Sequence, residues 1–258
     1  PKCNWPSIEA VWGNRCRSRS NATAWNKPWR FCPRNCHDAS AEVTTPAALV
    51  LMARWPAPGR CKRRLAADMQ SQLSLNHSSE RSARLQARLT HHTIAVACTL
   101  HREGWVTPVL AVSGLGPSRA RRWGRQQGIE EIGLQGDGNL GTRLKRQLLR
   151  LRHRRTAALV VGSDLPEFNR RDLLMALENL HSHDLVLGPA ADGGYWLMAL
   201  SAALMQTPER WPLVGIPWGS SEVLDTTLES AQCNNLTVGL LPQRQDLDHL
   251  HDLKRWQG

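Results

Sequence analysis

Apolar residues follow two different spacings along the chain after residue 45. Short dense runs are typical of buried strands, whereas apolar positions three or four residues apart are typical of helices with one buried face. The runs that predict strands are residues 47–53, 106–112, 157–161, 185–187, 195–200 and 236–241. The segments that predict helices are residues 79–100, 118–127, 140–155, 221–231 and one around 173–180. This alternation predicts an α/β fold with a mostly parallel sheet.

Two of these helices are rich in basic residues. In the helix over 140–155 the predicted buried stripe consists of Leu140, Leu144, Leu148 and Leu151, so its Arg and Lys residues are expected to form a solvated face. The short helix over 118–127 is expected to be solvated in the same way. Neither helix therefore predicts a nucleic-acid surface.

Residues 1–45 differ from the rest of the chain. They contain four Trp and four Cys, have more basic than acidic residues, and lack sustained apolar periodicity. We interpret them as a disordered or loosely attached basic extension, followed by one domain over 46–258. The alternative is a zinc site at Cys16, Cys32, Cys36 and His37, although that spacing matches no paired-cysteine template well.

Composition limits the class of protein. The chain has 258 residues and is 41% hydrophobic, which is enough for a sizeable core. No run approaches the ~18 apolar residues of a membrane span, and no signal peptide is recognisable. Cys61, Cys98 and Cys233 are dispersed through the predicted domain, as expected for reduced residues of a cytoplasmic protein.

The net charge of the chain limits the possible binding partners only in part. The formal net charge is +11, with 33 Lys and Arg against 22 Asp and Glu. Such a balance favours anionic partners, which include nucleotides, nucleic acids and acidic surfaces. A generally basic proteome would produce the same composition.

Two acidic loops follow predicted strands. Asp164 comes directly after the run over 157–161, between Gly162 and Pro166, and Asp192 follows the next strand along the chain. Open α/β sheets bind ligands beyond the carboxyl ends of their strands. We therefore expect both loops to line one cleft.

A basic loop follows the first predicted strand, and a glycine-rich loop comes later. In the first, Gly59 permits close approach of a phosphate, and Lys62 and Arg64 supply charged donors to its oxygens. In the second, Arg143 lies at the start of a predicted helix, whose positive end favours phosphate. The alternative for the first loop is an exposed basic turn.

Six segments occur in the order typical of one bacterial family. They are 54–65 (RWPAPGRCKRRL), 135–144 (QGDGNLGTRL), 162–166 (GSDLP), 187–200 (LGPAADGGYWLMAL), 215–220 (GIPWGS) and 246–253 (DLDHLHDL). They resemble candidate glycosyltransferases with the Rossmann-like nucleotide-diphospho-sugar transferase (GT-A) fold, which are often encoded beside radical-SAM proteins and called arsenosugar-biosynthesis glycosyltransferases. The chain departs from the family pattern at Arg63, Asn139 and residues 249–251.

The resemblance implies a set of site residues. Asp164 and Asp248 would hold Mg²⁺ or Mn²⁺, and Asp192 would act on the acceptor as a hydroxyl-binding group or general base. The alternative for Asp192 is a turn residue that caps the following glycines. The residues expected to bind the nucleotide are Arg54, Pro58, Gly59, Lys62, Arg64, Gly136 and Arg143. Those expected to bind the acceptor are Gly193, Gly194 and Trp218, although core packing would explain Trp218 equally well.

Three functions are compatible with these features. The first is a metal-dependent glycosyltransferase that moves a sugar from a nucleotide-sugar donor to a small-molecule acceptor, with no nucleic-acid partner. The second is a nucleotidyltransferase that uses a nucleoside triphosphate. The third is a basic nucleic-acid-binding protein on a degenerate enzyme fold, but the predicted domain lacks the basic stripe interleaved with aromatic residues that would favour it.

Overall fold

The computed structural model describes residues 45–254. The interpretations of the Trp- and Cys-rich segment before residue 45, including the alternative zinc site, lie outside the described residues. The strands are β1 (Ala47–Arg54), β2 (Val106–Ser113), β3 (Glu131–Leu134), β4 (Ala158–Gly162), β5 (Leu185–Pro189), β6 (Tyr195–Leu200) and β7 (Val238–Leu240). The α-helices are α1 (Arg63–Leu73), α2 (Ser78–Arg102), α3 (Pro117–Gln126), α4 (Leu140–Leu151), α5 (Arg170–Asn179), α6 (Ala202–Met205), α7 (Val223–Cys233) and α8 (Leu250–Lys254). Two 3₁₀ turns, Arg152–Arg154 and Pro208–Arg210, lie between them.

The strands form one mostly parallel sheet in the order β3-β2-β1-β4-β6-β5-β7, as the alternating pattern predicts. β1 pairs in parallel with β2 and β4, β2 with β3, and β5 with β7. Only β6 runs the opposite way, between β4 and β5. Since β4 and β5 are both antiparallel to β6, they point in the same direction, and their carboxyl ends lie at the same edge.

The core covers both faces of the sheet, because successive residues of each strand point to opposite sides. In β1, Leu49 and Leu51 belong to the cluster formed with α2, α3 and α5. Val50 belongs to the opposite cluster, which includes residues of α4 and α7. A central sheet buried on both faces is typical of α/β domains.

The predicted stripe of α4 is wrong at one position. Leu144, Leu148 and Leu151 are buried, but Leu140 is 45% exposed. Leu140 is the first residue of α4 and precedes the turns that pack on the sheet. The spacing alone does not show where the packed part of a helix begins.

Sequence patterns also missed β3, α1, α6 and α8. β3 has only four residues, too few for a recognisable apolar run. α1 is polar, with only Leu65 and Ala66 buried, so it lacks a wide apolar stripe. Within residues 45–254 no helix is long and apolar enough to cross a membrane.

Candidate active site

Four charged residues from distant parts of the chain follow strands that end at one edge of the sheet. Lys62 follows β1, Asp164 follows β4, Asp192 follows β5 and Asp248 follows β7. These four strands point in the same direction, so the segments that follow them emerge at a shared edge. This is the edge at which open α/β sheets bind ligands.

Lys62 is the centre of this group. Its Nζ atom lies 2.9 Å from Asp164 Oδ1 and 2.9 Å from Asp248 Oδ1, and its side chain is only 2% exposed. Burial disfavours the charged ammonium, but the charges of Asp164 and Asp248 outweigh burial and raise the pKa of Lys62 above its usual value. Lys62 is therefore a buried cation between two carboxylates.

The backbone of Lys62 is left-handed, with φ 46°, where the chain enters α1. Residues other than glycine rarely adopt this conformation, which is costly for a side chain with a Cβ atom. Such strain persists where the surroundings determine the conformation, and it is concentrated at functional sites. Here the ion pairs with both carboxylates hold the side chain in place.

Backbone contacts position the two carboxylates. The Asp164 carbonyl accepts a hydrogen bond of 3.2 Å from the Leu247 amide, which joins the loops after β4 and β7. Asp252 Oδ2 accepts from the amides of Asp248 (3.0 Å) and His249 (2.7 Å). The Asp164 and Asp248 side chains are 44% and 45% exposed, so both carboxylates also face solvent.

A further carboxylate, Asp246, belongs to this site and was absent from the predicted set. Burial, and then the charge of Asp164, raise its pKa to about 7, while Lys62 opposes the shift. The charges of Asp192 and Asp248 also raise this pKa. The only sequence signal was its position two residues before Asp248 in the acidic segment 246–253.

The two predicted metal ligands, Asp164 and Asp248, provide the oxygen atoms that a divalent cation prefers. Mg²⁺ prefers oxygen ligands and is commonly held by one or two carboxylates together with substrate phosphates. Asp164 and Asp248 provide such a pair, because both converge on the same positive charge. Among residues 45–254 no group of three or more His, Cys, Asp or Glu side chains is arranged to hold a metal ion. A cation here would thus depend on ligands from the substrate.

Asp192 lies in the exposed turn between β5 and β6. Its Oδ1 atom accepts a hydrogen bond of 3.0 Å from the Gly194 amide, which is the turn-capping contact of the alternative interpretation. Gly193 has φ 86°, and a Cβ atom there would lie 2.0 Å from the Ser221 carbonyl oxygen. Packing therefore accounts for glycine at 193, and the acceptor-side roles remain predictions.

The predicted phosphate loop lies beside the carboxylates. Arg64 is 73% exposed, and its Nη1 atom lies 3.9 Å from Asp248 Oδ2. Arg54 Nη1 donates to the Arg60 carbonyl at 3.1 Å and so braces its own loop, in which Pro58 and Gly59 are exposed. The loop offers exposed donors next to the carboxylates.

The remaining predicted residues make contacts close to the start of α4. Arg143 Nε donates to the Gly138 carbonyl at 2.9 Å, and Gly136 packs against the Arg146 guanidinium. Trp218 covers Gly141, where a Cβ atom would lie 2.4 Å from the indole Nε1. Trp218 is thus packed against the first turn of α4, in agreement with the packing alternative.

Comparisons with known proteins define the class of fold. The structure is similar to that of a candidate nucleotide-diphospho-sugar transferase from Desulfovibrio desulfuricans G20, with a TM-score of 0.68 and 22% sequence identity. The aligned region covers 81% of this chain and 85% of that protein. It also resembles 4-diphosphocytidyl-2C-methyl-D-erythritol synthase from Anaerococcus prevotii DSM 20548, with a TM-score of 0.51 and 9% identity, over 84% of this chain and 97% of that one. The described residues therefore form an α/β domain whose fold is similar to that of nucleotide-diphospho-sugar transferases.

A narrower match concerns the central part of the sequence. Residues 95–220 match the bacterial family DUF2064, which is described as an uncharacterized protein conserved in bacteria. This segment contains Asp164, Asp192 and Trp218, whereas Lys62 and Asp248 lie outside it. No curated protein matches the chain.

Proposed function

We propose that this protein is a metal-dependent glycosyltransferase that moves a sugar from a nucleotide-sugar donor to a small-molecule acceptor. The observation that carries the proposal is the convergence of Lys62, Asp164 and Asp248 beyond the carboxyl ends of β1, β4 and β7. The similarity to nucleotide-diphospho-sugar transferases supports it at the level of the fold. The arsenosugar context that the motifs resemble remains a prediction.

On the donor side, Asp164 and Asp248 would hold Mg²⁺ or Mn²⁺. The bound ion would stabilise the negative charge of the leaving nucleoside diphosphate as a Lewis acid. Arg64, exposed next to Asp248, would donate to the same phosphates. The glycine-containing loops at 54–59 and 136–143 would enclose the nucleotide.

On the acceptor side, Asp192 would bind a hydroxyl group or remove its proton. Its carboxylate is exposed at the tip of the turn, so an acceptor can reach it. Gly194 orients this carboxylate through its amide, and Gly193 places the turn against Ser221. Trp218, which packs against the first turn of α4, would border the acceptor pocket.

Titration calorimetry tests the donor site. Nucleoside diphosphates and nucleotide sugars are titrated into the full chain, with and without Mn²⁺, for the native protein and for Asp164→Ala. The matched control is Asp225→Ala, which removes an exposed carboxylate from α7. We expect Mn²⁺-dependent binding that Asp164→Ala abolishes and Asp225→Ala preserves. Equal binding in both variants would remove Asp164 from the site.

Product analysis separates the two enzyme reactions that this fold accommodates. A glycosyltransferase releases a nucleoside diphosphate from a nucleotide sugar, whereas a nucleotidyltransferase releases pyrophosphate from a nucleoside triphosphate. We expect the first product. Pyrophosphate release from a triphosphate with a sugar phosphate would instead establish nucleotidyl transfer.

A further inference from the structure

The ammonium group of Lys62 is covered by the two carboxylates that it neutralises. The Lys62 side chain is 2% exposed, whereas those of Asp164 and Asp248 are 44% and 45% exposed. A ligand that enters from solvent therefore meets the carboxylates before it meets the ammonium. Because the carboxylates lie on the solvent side of the ammonium, a positively charged ligand is attracted to the site more strongly than a negatively charged one.

The exposed carboxylates of Asp164 and Asp248 repel a diphosphate that approaches this site, although the exposed Arg64 beside Asp248 attracts it. A divalent cation has the opposite preference, since the exposed carboxylates attract it and the ammonium behind them repels it. Lys62 thus occupies both carboxylates in the free protein, and its buried ammonium is a charged donor that becomes available to a phosphate once a cation takes the carboxylates.

We propose that Lys62 is an exchangeable cation: a divalent ion takes over Asp164 and Asp248, and the ammonium is thereby released to the diphosphate. The inference rests on the proposed function, because it assumes that these carboxylates hold a divalent ion. It makes cation binding and diphosphate binding positively coupled through one side chain.

The first experiment measures the affinity for Mn²⁺ alone, from the electron paramagnetic resonance signal of the free ion. The test variant is Lys62→Met, which fills the buried stem without the charge, and Lys62→Gln is a second, polar variant. The matched control is Arg63→Gln, since Arg63 is the exposed cation next in the chain. Melting curves without metal confirm that each variant is folded.

We expect both Lys62 variants to bind Mn²⁺ about tenfold more tightly than the native protein, because a unit charge a few ångströms from a divalent ion is removed. Arg63→Gln should change the affinity less than twofold. Adding Asp164→Asn to Lys62→Met should abolish the gain. Unchanged or weaker Mn²⁺ binding in both Lys62 variants, or no Mn²⁺ binding by any of the proteins, would overturn the exchange.

The second experiment measures the coupling, with inorganic pyrophosphate as the probe. Pyrophosphate should bind the native protein much more tightly with saturating Mn²⁺ than without it, and Lys62→Met should lose most of this difference. A difference of native size in Lys62→Met would contradict release of the ammonium to the diphosphate.

The outcomes for the exchange and for the proposed function are separable. If Lys62→Met tightens Mn²⁺ binding but no nucleotide sugar binds, the exchange stands and the glycosyltransferase proposal fails. If nucleotide sugars bind with Mn²⁺ while Mn²⁺ affinity is equal in Lys62→Met and Arg63→Gln, the proposed function stands and the exchange is wrong.

Discussion

Gly193 combines a left-handed backbone, φ 86°, with a lack of room for any side chain. A Cβ atom at 193 would lie 2.0 Å from the Ser221 carbonyl oxygen, a backbone atom that moves only with its loop. Gly215 has a similar φ of 75° but nothing within 4 Å of a Cβ atom. The two glycines thus share a left-handed backbone, but only at Gly193 would a side chain also clash with a neighbouring loop.

We predict that Gly193→Ala destabilises the protein clearly more than Gly215→Ala. The control should cost about 1 kcal/mol, the usual penalty of a left-handed backbone for alanine. Gly193→Ala should add about 1–3 kcal/mol for the displaced backbone. Urea unfolding of both variants measures the difference. Equal losses would mean that the turn moves away from Ser221 without cost.

Asp192 is the residue on which the acceptor side of the proposal depends. Asp192→Asn keeps the size and an acceptor for the Gly194 amide, but removes the charge and the basicity. We predict near-native donor affinity with transfer reduced about 10²–10⁴-fold, the usual contribution of a general base. Calorimetry and turnover are measured on the same preparation. Loss of donor affinity with intact turnover of bound donor would place Asp192 at the nucleotide.

At the scale of elements, one arginine fastens the segment after β7 to α5. Arg244 Nη2 lies 2.8 Å from Asp172 Oδ1, and Nη1 lies 3.1 Å from Glu167 Oε2. The Asp172 side chain is fully buried and also accepts from the Asn169 amide in the capping box of α5. The same segment carries Asp248, so this anchor helps to position the site.

We predict that Asp172→Ala lowers the free energy of unfolding by about 1.5–3 kcal/mol, since it removes the charged hydrogen bond to Arg244 and the capping contact with the Asn169 amide. Glu167→Ala is the matched control, because Glu167 is the other partner of Arg244 and its side chain is 51% exposed. The control should cost at most about 1 kcal/mol. Similar losses, measured by chemical denaturation, would show that the buried pair is not the main anchor.

A second link joins the end of α2 to the start of α5. The Arg170 guanidinium donates to both Glu103 oxygens, at 2.8–3.1 Å, and these bonds are the main reason that the pKa of Glu103 is lowered. A carboxylate with a lowered folded-state pKa adds stability above its unfolded pKa and loses that stability as the pH falls through the folded value. The link should therefore weaken in acid.

We predict that the melting temperature of the native protein falls further between pH 6 and pH 3 than that of Glu103→Gln. Glu130→Gln, at an exposed position outside any helix or strand, is the control and should follow the native curve. Scanning calorimetry at a series of pH values gives the comparison. Parallel curves for the native protein and Glu103→Gln would remove this link from the acid response.

At the scale of the whole molecule, the net charge of +11 does not by itself indicate a nucleic-acid partner. The outer face of α3 carries exposed arginines around a shallow depression of about 600 Å³, which is lined by Ser118, Arg121, Arg122, Arg125 and Gln126. None of these residues belongs to the proposed site. Their charge can hold polyanions without sequence or shape selectivity.

We predict that the triple variant Arg121→Gln, Arg122→Gln, Arg125→Gln elutes from heparin at lower salt while its affinity for a nucleotide sugar is unchanged. Retention of the native protein should fall steeply with salt, since it comes from phosphate-like contacts alone. Tight binding of a single-stranded oligonucleotide at ~150 mM salt, lost in the triple variant, would favour the nucleic-acid hypothesis.

Much of the fold was predictable because local apolar spacing determines the larger elements. The pattern placed strands at β1, β2, β4, β5, β6 and β7. It failed for β3 and α1, whose apolar content is too small for a periodic signal, and for Leu140, whose exposure depends on where α4 meets the sheet. Individual charged residues such as Lys62 and Asp164 were also recognisable, since each follows a predicted strand.

Only the tertiary structure decided how these charges are combined. Lys62 and Asp248 are 186 positions apart, so no local pattern predicts that the Lys62 ammonium contacts the Asp248 carboxylate. The strand order places β1 beside β4, whereas β7 lies at the far edge of the sheet, beyond β6 and β5. The segment after β7 therefore has to run back to Asp164, where the Leu247 amide donates to the Asp164 carbonyl. The raised pKa of Asp246 likewise depends on burial and on neighbours distant in sequence. The sequence by itself thus determined which residues can do chemistry, and long-range packing determined which of them share one charge.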